Sequence, residues 1–348
     1  MNEFMQALAV VEPNRAEVIK VPLVKPRPDE VLVRIRTSAL CTWEQRIFTG
    51  NKKAPYPLIG GHEIAGEICA LGENLDPDKY PPGSAVAVRV LKNCQSCHFC
   101  RRGMENLCVE LNTFRLTGPE AYGMGGLAEY ISIERSAVWV FENKIPFETM
   151  ALTEPLACVL NSLKKSNIRM GDDVLIIGGG VMGQLHVMAA KLAGGRIIMS
   201  EPNEYRREVA RSIGCHVTID PASMDLKTEV GRLTGGRGAD VVFNTTAISE
   251  VAQDSISLTA AGGTCITYSS QHPDLPIMVS PNWLHNSEVD LTGAVNPSIE
   301  SFDQAVKLID KGLVDPSIFV SKTFDFTDGQ QAFEEALKPE NFRVVVKF

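Results

Sequence analysis

No uninterrupted apolar run in this 348-residue chain reaches the roughly 18 residues that a membrane-spanning helix needs. An integral helical membrane protein is therefore not expected. Positive charge is also short: 34 Lys and Arg stand against 42 Asp and Glu, a formal net charge of −8. Non-specific binding to nucleic acid needs a positive field, so neither DNA nor RNA is expected as a partner. The start, Met1-Asn2-Glu3-Phe4, has no basic region followed by an apolar stretch. No secretory signal is expected, and the cytoplasm is the expected location. Internal repeats and low-complexity segments are missing too. What remains is ordinary globular composition, 44% hydrophobic and 22% charged, over a length that suits two domains better than one core.

The nine cysteines are an odd number, which fits poorly with a full disulfide framework. Cys41, Cys69, Cys158, Cys215 and Cys265 are scattered, whereas Cys94, Cys97, Cys100 and Cys108 cluster. In a reducing compartment such a cluster reads as a metal site rather than as disulfides. Four soft thiolates spaced x2, x2 and x7 can wrap a tetrahedral zinc at a Zn–S distance of about 2.3 Å. Closed four-sulfur coordination leaves no open position, so this zinc is expected to be structural. An iron–sulfur cluster takes four cysteines as well. Nothing else in the chain suggests electron transfer.

The first half reads as short strands joined by Pro/Gly turns. Val31 to Arg36 alternates with period two, and Ser84 to Arg89 follows the turn signal Pro81-Pro82-Gly83. The pattern changes near Glu154-Pro155, where Leu156, Val159, Leu160 and Leu163 recur at helical spacing. Continuous apolar strands then alternate with amphipathic helices. Strands are predicted at 173–177, 196–200, 216–219, 240–244, 264–268 and 289–294, with helices at 181–193 and 203–213. This pattern implies a doubly wound parallel sheet. A further helix at 299–311 and a terminal strand at 343–348 are expected to return to the first domain. The expected division is 1–153, 154–294 and 295–348, the last part rejoining the first.

Gly178-Gly-Gly180-Val181-Met182-Gly183 follows the first of these strands and opens a helix. In that context the glycines allow a tight turn and close approach of a pyrophosphate, and the helix N-terminus supplies free N–H groups. Glu201 ends the second strand, where a carboxylate can accept hydrogen bonds from an adenosine ribose diol and would repel a 2′-phosphate. NAD is favoured over NADP. Arg206 and Arg207 leave three readings open: binding a 2′-phosphate, lying along the adenosine of NAD, or serving as solvated helix charges. The bland reading of the glycines is a turned corner.

Cys41 closes an apolar strand region, Gly61-His62-Glu63-x2-Gly66 follows, and Glu154 begins the helix after the β-rich half. A thiolate, an imidazole and one or two carboxylates can hold zinc with a position left open, as a catalytic zinc requires. Taken singly, Cys41 reads as a buried thiol, His62 as a satisfied core histidine and Glu154 as a helix cap.

With Gly61-His62-Glu63-Ile-Ala-Gly66, the four-cysteine lobe, Thr153-Glu154-Pro155-Leu156-Ala157 and Gly178 to Gly183 all in order, the chain resembles the zinc-containing medium-chain dehydrogenase/reductase family over nearly its whole length. Within that family it is most similar to the sorbitol, polyol and threonine dehydrogenase branch. The resemblance implies an α/β protein with a GroES-like β-rich catalytic domain and a Rossmann domain, working as a homodimer or homotetramer. It also implies two zinc ions per chain, one catalytic and one structural. Cys41, His62 and Glu63 would be the catalytic ligands, with Glu154 an exchanging or water-linked fourth. The implied activity is oxidation of a secondary alcohol to a ketone by hydride transfer to the nicotinamide.

One departure concerns proton transfer. The family usually has Ser or Thr two residues after the zinc cysteine, where Trp43 stands here, and Asp where Glu44 stands. Thr42 could substitute from the adjacent position, or Glu63 or Glu154 could take the proton. Trp43 is expected to wall the substrate pocket; ordinary packing is the bland alternative. A glutamate-bearing zinc site suits a vicinal diol, so a sugar alcohol or cyclic polyol is the expected substrate. Sugar acids, sugar phosphates, threonine and other amino alcohols also fit. Arg46, Lys52 and Lys53 follow Cys41, but no clear basic cluster awaits a substrate phosphate. Two rivals remain: a zinc-free quinone or enoyl reductase, and a non-catalytic nucleotide-binding protein on the same scaffold.

Overall fold

The computed structural model describes residues 3–114 and 121–348, so Met1 and Asn2 of the start read above lie outside the described residues. Two compact units divide the chain: Met1–Ala157 together with Ser298–Phe348, and Cys158–Pro297.

In the second unit the apolar strand Asp173–Ile177 is buried at every position. Val174 and Ile176 pack into one core with Val187 and Ala190. Leu175 and Ile177 enter a second core with Val230 and Ile256. A strand covered on both faces needs helices on both faces, which crossover connections between parallel strands provide. Six parallel strands result, in the spatial order Val217–Ile219, Arg196–Ser200, Asp173–Ile177, Ala239–Asn244, Thr259–Thr267, Asp290–Gly293. This is the Rossmann order, and the direction of winding reverses between Asp173–Ile177 and Ala239–Asn244.

Two helices of this unit are not expected from the sequence: Leu226–Leu233, whose Leu226, Val230 and Leu233 recur at helical spacing but over only eight residues, and Ser249–Ser257, which carries no clear apolar period. The reason is chemical. Ser249–Ser257 buries Ser249, Ala252, Ser255 and Ile256, so hydroxyls and a methyl occupy positions where larger apolar side chains would have marked the face.

The first unit is mostly strand. Glu30–Leu40 is its spine, pairing antiparallel with Glu63–Leu71, with Tyr130–Glu134 and with the terminal strand Arg343–Lys347. A second, four-stranded sheet contains Phe4–Glu12, Arg15–Pro22, Leu58–Ile59 and Tyr122–Gly123. The segment after Pro297 therefore contributes a strand to the sheet that carries Cys41. No helix among the described residues is long and apolar enough to cross a membrane.

Candidate active site

Strand register assembles the first cluster. Ala39 pairs with Glu63, and Leu40 with Val344, so residues distant in sequence meet at one end of the spine strand. Cys41 follows that strand and is the N-cap of the helix Thr42–Phe48. Gly61 turns the chain into His62 with φ 84°, and a Cβ there would lie 2.5 Å from the carbonyl carbon of Gly126. Only glycine fits both the left-handed backbone and the close approach.

Ligand atoms of Cys41, His62 and Glu63 lie within 4.8 Å of one another. Glu44 fixes the ring of His62. Its Oε1 lies 2.8 Å from His62 Nδ1 and accepts the Gly61 N–H at 3.0 Å, while Oε2 accepts the Cys41 N–H at 3.2 Å. With Nδ1 held by a buried carboxylate, Nε2 is the nitrogen left for a metal, the usual carboxylate–histidine arrangement of metal sites. Burial pulls the His62 pKa down, but the Glu44 charge and hydrogen bonds with Cys41 and Glu44 outweigh it and hold it well above an ordinary imidazole. Burial pushes the Cys41 thiol up, against the pull of Arg343.

The sequence did not single out Arg343. Its Nε donates to Glu63 Oε2 at 2.9 Å and its Nη2 to Glu63 Oε1 at 2.8 Å, a buried bidentate pair. Its Nη2 also lies 3.7 Å from Cys41 Sγ. Burial opposes the Arg343 cation, but Glu63 and Cys41 raise its pKa, and Glu154 adds to the effect. Glu154 itself is buried in the first turn of the helix Thr153–Leu163 and is not part of the three-residue cluster. The only hint of Arg343 in the sequence is a charge heading the apolar run Val344-Val345-Val346.

The donor set fits a borderline-soft divalent ion: one sulfur, one imidazole nitrogen, one carboxylate. A carboxylate has about four lone-pair directions, and Arg343 uses two, so Glu63 keeps capacity for a metal. Trp43 stands edge-on to His62, ring centroids 6.0 Å apart, and stacks on Phe114 at 5.7 Å. Thr42 is exposed at the first helical position.

The four-cysteine lobe brings Cys94, Cys97, Cys100 and Cys108 equally close, within 4.8 Å. Backbone N–H groups supply its electrostatics. Cys97 donates to Cys94 Sγ at 3.2 Å, and Cys94 and Glu110 donate to Cys108 Sγ at 3.3 and 3.4 Å. Backbone donors from Cys100 and Val109 bring the Cys97 thiol down to about 6. Such hydrogen bonds favour thiolates, the form that binds metal.

In the second unit the glycine turn has the shape that a pyrophosphate needs. A Cβ on Gly183 would lie 1.9 Å from the Gly178 carbonyl oxygen, so helix and strand approach as only glycine allows, while Gly180 faces open space. The helix Val181–Leu192 starts there without a side-chain cap, and Val181 and Met182 are its first residues. Glu201 is buried beside the turn; its Oε2 accepts the Gly179 N–H at 2.6 Å and its Oε1 the Asn203 N–H at 2.9 Å.

The two arginines differ. Arg207 is built into the strand–helix corner, donating to the carbonyls of Glu201 and Pro202 and pairing with Glu204 and Asp220. The Arg206 backbone N–H is taken by the Asn203 cap at 3.1 Å.

Sequence reasoning also passed over Thr245, whose hydroxyl donates to the carbonyls of Ile177 and Gly178 and braces the turn. A cavity of about 440 Å³ at the carboxyl ends of Thr259–Thr267 and Asp290–Gly293 is lined by Tyr268, Ser269, Val295 and Asn296, among others. It lies on the carboxyl side of the sheet, the side on which open α/β folds bind ligands, though two strands from the point where the winding reverses.

Residues 27–143 match the family model of the alcohol dehydrogenase GroES-like domain, and residues 181–311 that of zinc-binding dehydrogenase. D-arabinitol dehydrogenase 1 of Uromyces fabae is 28% identical over 99% of this chain and 97% of its own length. L-threonine 3-dehydrogenase of Pyrococcus furiosus is 34% identical over 69% of each chain. Among solved structures, 2R,3R-butanediol dehydrogenase from Bacillus subtilis superposes with a TM-score of 0.87 over 99% of both chains at 23% identity, a likeness of fold.

Proposed function

Because this chain belongs to the zinc-type medium-chain alcohol dehydrogenase family, an NAD(P)-linked group acting on CH–OH donors, we propose that it oxidises a secondary alcohol of a polyol or sugar derivative to a ketone, using zinc and NAD. The observation that carries this reading is the convergence of Cys41, His62 and Glu63, with the His62 ring fixed by Glu44. These three residues would hold the catalytic ion, with Glu154, whose charge acts on Arg343, as the exchanging or water-linked fourth ligand. Cys94, Cys97, Cys100 and Cys108 would hold a second, structural ion.

When bound, the catalytic ion supplies Lewis acidity, which lowers the pKa of a water from about 16 to about 7 and acts likewise on an alcohol. The chain's own residues set the field. Cys41 and Glu63 bring two negative charges, and the Arg343 guanidinium cancels one of them. Behind His62 the Glu44 carboxylate adds a further negative charge, so with a divalent ion the cluster would be neutral overall, and the ion's local field is what would favour an alcohol without its proton. Trp43 has no hydroxyl, so this proton would leave through Thr42, exposed at the helix start, or through Glu63 or Glu154. Trp43 and Phe114 form an aromatic wall against which the carbon skeleton of a polyol packs.

Gly178, Gly180, Gly183 and the helix start at Val181-Met182 would receive the pyrophosphate. Glu201 supports NAD, since a buried carboxylate there meets a ribose diol and repels a 2′-phosphate. Arg207 is committed to the fold, and Arg206, in the first turn of the same helix, would lie along the adenosine. The relatives include threonine dehydrogenases, so an amino alcohol is the second substrate class to test. A homo-oligomer is supported by the outer strand Asp290–Gly293, whose far edge pairs with no strand among the described residues, and by exposed Ile277, Met278 and Leu291 nearby. None of the nine cysteines is in a disulfide, which suits a reducing cytoplasm.

The test is a panel of polyols, sugar acids and L-threonine read by NADH and NADPH absorbance, with metal analysis. The expected result is two zinc per chain, NAD-dependent turnover of a diol, and loss of that turnover in Cys41→Ser while NADH still binds. Full activity in Cys41→Ser overturns the reading.

A further inference from the structure

A cavity of about 420 Å³ lies in the first unit, and no residue of the candidate active site lines it. Lys25, Arg27 and Lys92 contribute its cations, and Glu30 is its one lining carboxylate. Three cations around one concavity are unexpected in a chain of net charge −8. Lys92 pairs with Glu134 at 3.2 Å. The Lys25 ammonium and the Arg27 guanidinium have no ion-pair or hydrogen-bond partner among the described residues. Glu30 is buried, and its Oε2 is committed to the wall, accepting the Arg27 backbone N–H at 3.2 Å and the Ser132 hydroxyl at 2.7 Å. Met5, Ile59 and Met124 make the floor apolar. Lys25 and Arg27 are exposed at its border, so an apolar floor is flanked by charged groups, at the small end of ligand-sized volumes, as in many small-molecule sites.

We propose that this cavity binds a small organic anion, a compact body carrying a phosphate ester or carboxylate that Lys25 and Arg27 engage. The site is tied to the segment that delivers His62. Ile59 on the floor precedes Gly60-Gly61-His62, and the neighbouring loop is bonded to that segment: Gly125 N–H donates to the Ile59 carbonyl at 3.0 Å, and Gly126 and Leu127 donate to Gly60 at 2.8 and 3.0 Å. The close approach of Gly61 to Gly126 leaves this layer no slack. Occupancy of the cavity therefore bears on the position of His62.

The test is calorimetric titration of the full chain with glucose 6-phosphate, gluconate, inorganic phosphate and, as a neutral control, glucose. It is run at low salt, where charge attraction is least screened. Either organic anion binding with glucose silent supports the site, and the two arms tell phosphate ester from carboxylate. The double variant Lys25→Gln/Arg27→Gln is expected to bind at least about tenfold more weakly, the effect of losing one charge-assisted contact. Its unliganded melting temperature should not change, because neither side chain holds a partner. Cys41→Ser binds the anion as the unmodified chain does, which separates this site from the active-site reading. Equal affinity in the double variant, or binding of inorganic phosphate alone, overturns the proposal. An alcohol KM that is unchanged at saturating anion overturns the link to His62.

Discussion

Two enclosed histidines, one in each unit, show what separates a reactive site from a packed core. His62 is 12% exposed and faces Glu44, with Cys41 on its other side. His186 is fully buried, with Nδ1 2.8 Å from the Met182 carbonyl and Nε2 3.1 Å from Ser162 Oγ, and with Phe243 and Tyr268 around it. Burial acts on both in the same direction. Neighbouring charge decides the outcome, raising the pKa of His62 and leaving that of His186 at about 4. A histidine satisfied by neutral partners belongs to the fold. One held by a carboxylate, beside a thiol and a second carboxylate, is arranged for chemistry.

The sharpest way to break this contrast is to strip the charge around His62. Arg343→Gln leaves Glu63 buried without its cation, and such a loss costs about 3–5 kcal/mol. Urea denaturation of chelator-treated protein should show that loss. A variant as stable as the parent would mean that the buried pair is not what balances Glu63.

The next effect tests the other histidine. The unfolded chain takes up a proton near the ordinary histidine pKa of about 6.5, whereas folded His186 resists it until about pH 4. Between those values the unfolded state binds more protons, so stability rises with pH across this window and is lost as pH falls. The ceiling is about 3 kcal/mol, because each pH unit between the two values is worth about 1.36 kcal/mol. The stability difference between the parent and His186→Phe should therefore depend on pH between 4 and 6.5 and be constant above it. A difference that is flat throughout would show that His186 is not held neutral.

The same contrast explains what could be read from the sequence. The glycine turn and the four-cysteine lobe are local, each complete within a few turns of chain, so spacing alone exposes them. Buried strands such as Asp173–Ile177 announce themselves by continuous apolarity. Cys41, His62 and Glu63 were legible as a possible donor set by residue type, and as one site by resemblance; their meeting depends on strand register. Arg343 lies 302 residues from Cys41 and could not be found by spacing at all. Glu44 was legible as a carboxylate three residues after Cys41, but its place on His62 Nδ1 appears only when helix and turn are folded together. The helix Gly329–Ala336 was missed because Phe333 is the one large apolar side chain on its buried face, beside small residues and Glu335.

The smallest of the expected effects concerns Glu44, and it tests whether orientation alone distinguishes His62 from His186. Glu44→Gln keeps size and can still bond His62 Nδ1, the Gly61 N–H or the Cys41 N–H, but not all three with an acceptor, since an amide has one oxygen. The carboxylate's charge, which favours the Nδ1–H tautomer, is lost as well. Loss of such a partner weakens metal binding by about 10–100-fold, or about 1.4–2.7 kcal/mol. Competition with a chelator should show that weakening at the Cys41 site and none at the four-cysteine lobe, whose thiolates are held by backbone N–H groups. Equal zinc retention by Glu44→Gln and the parent would mean that Cys41 and Glu63, clamped by Arg343, hold the ion without help from a fixed imidazole.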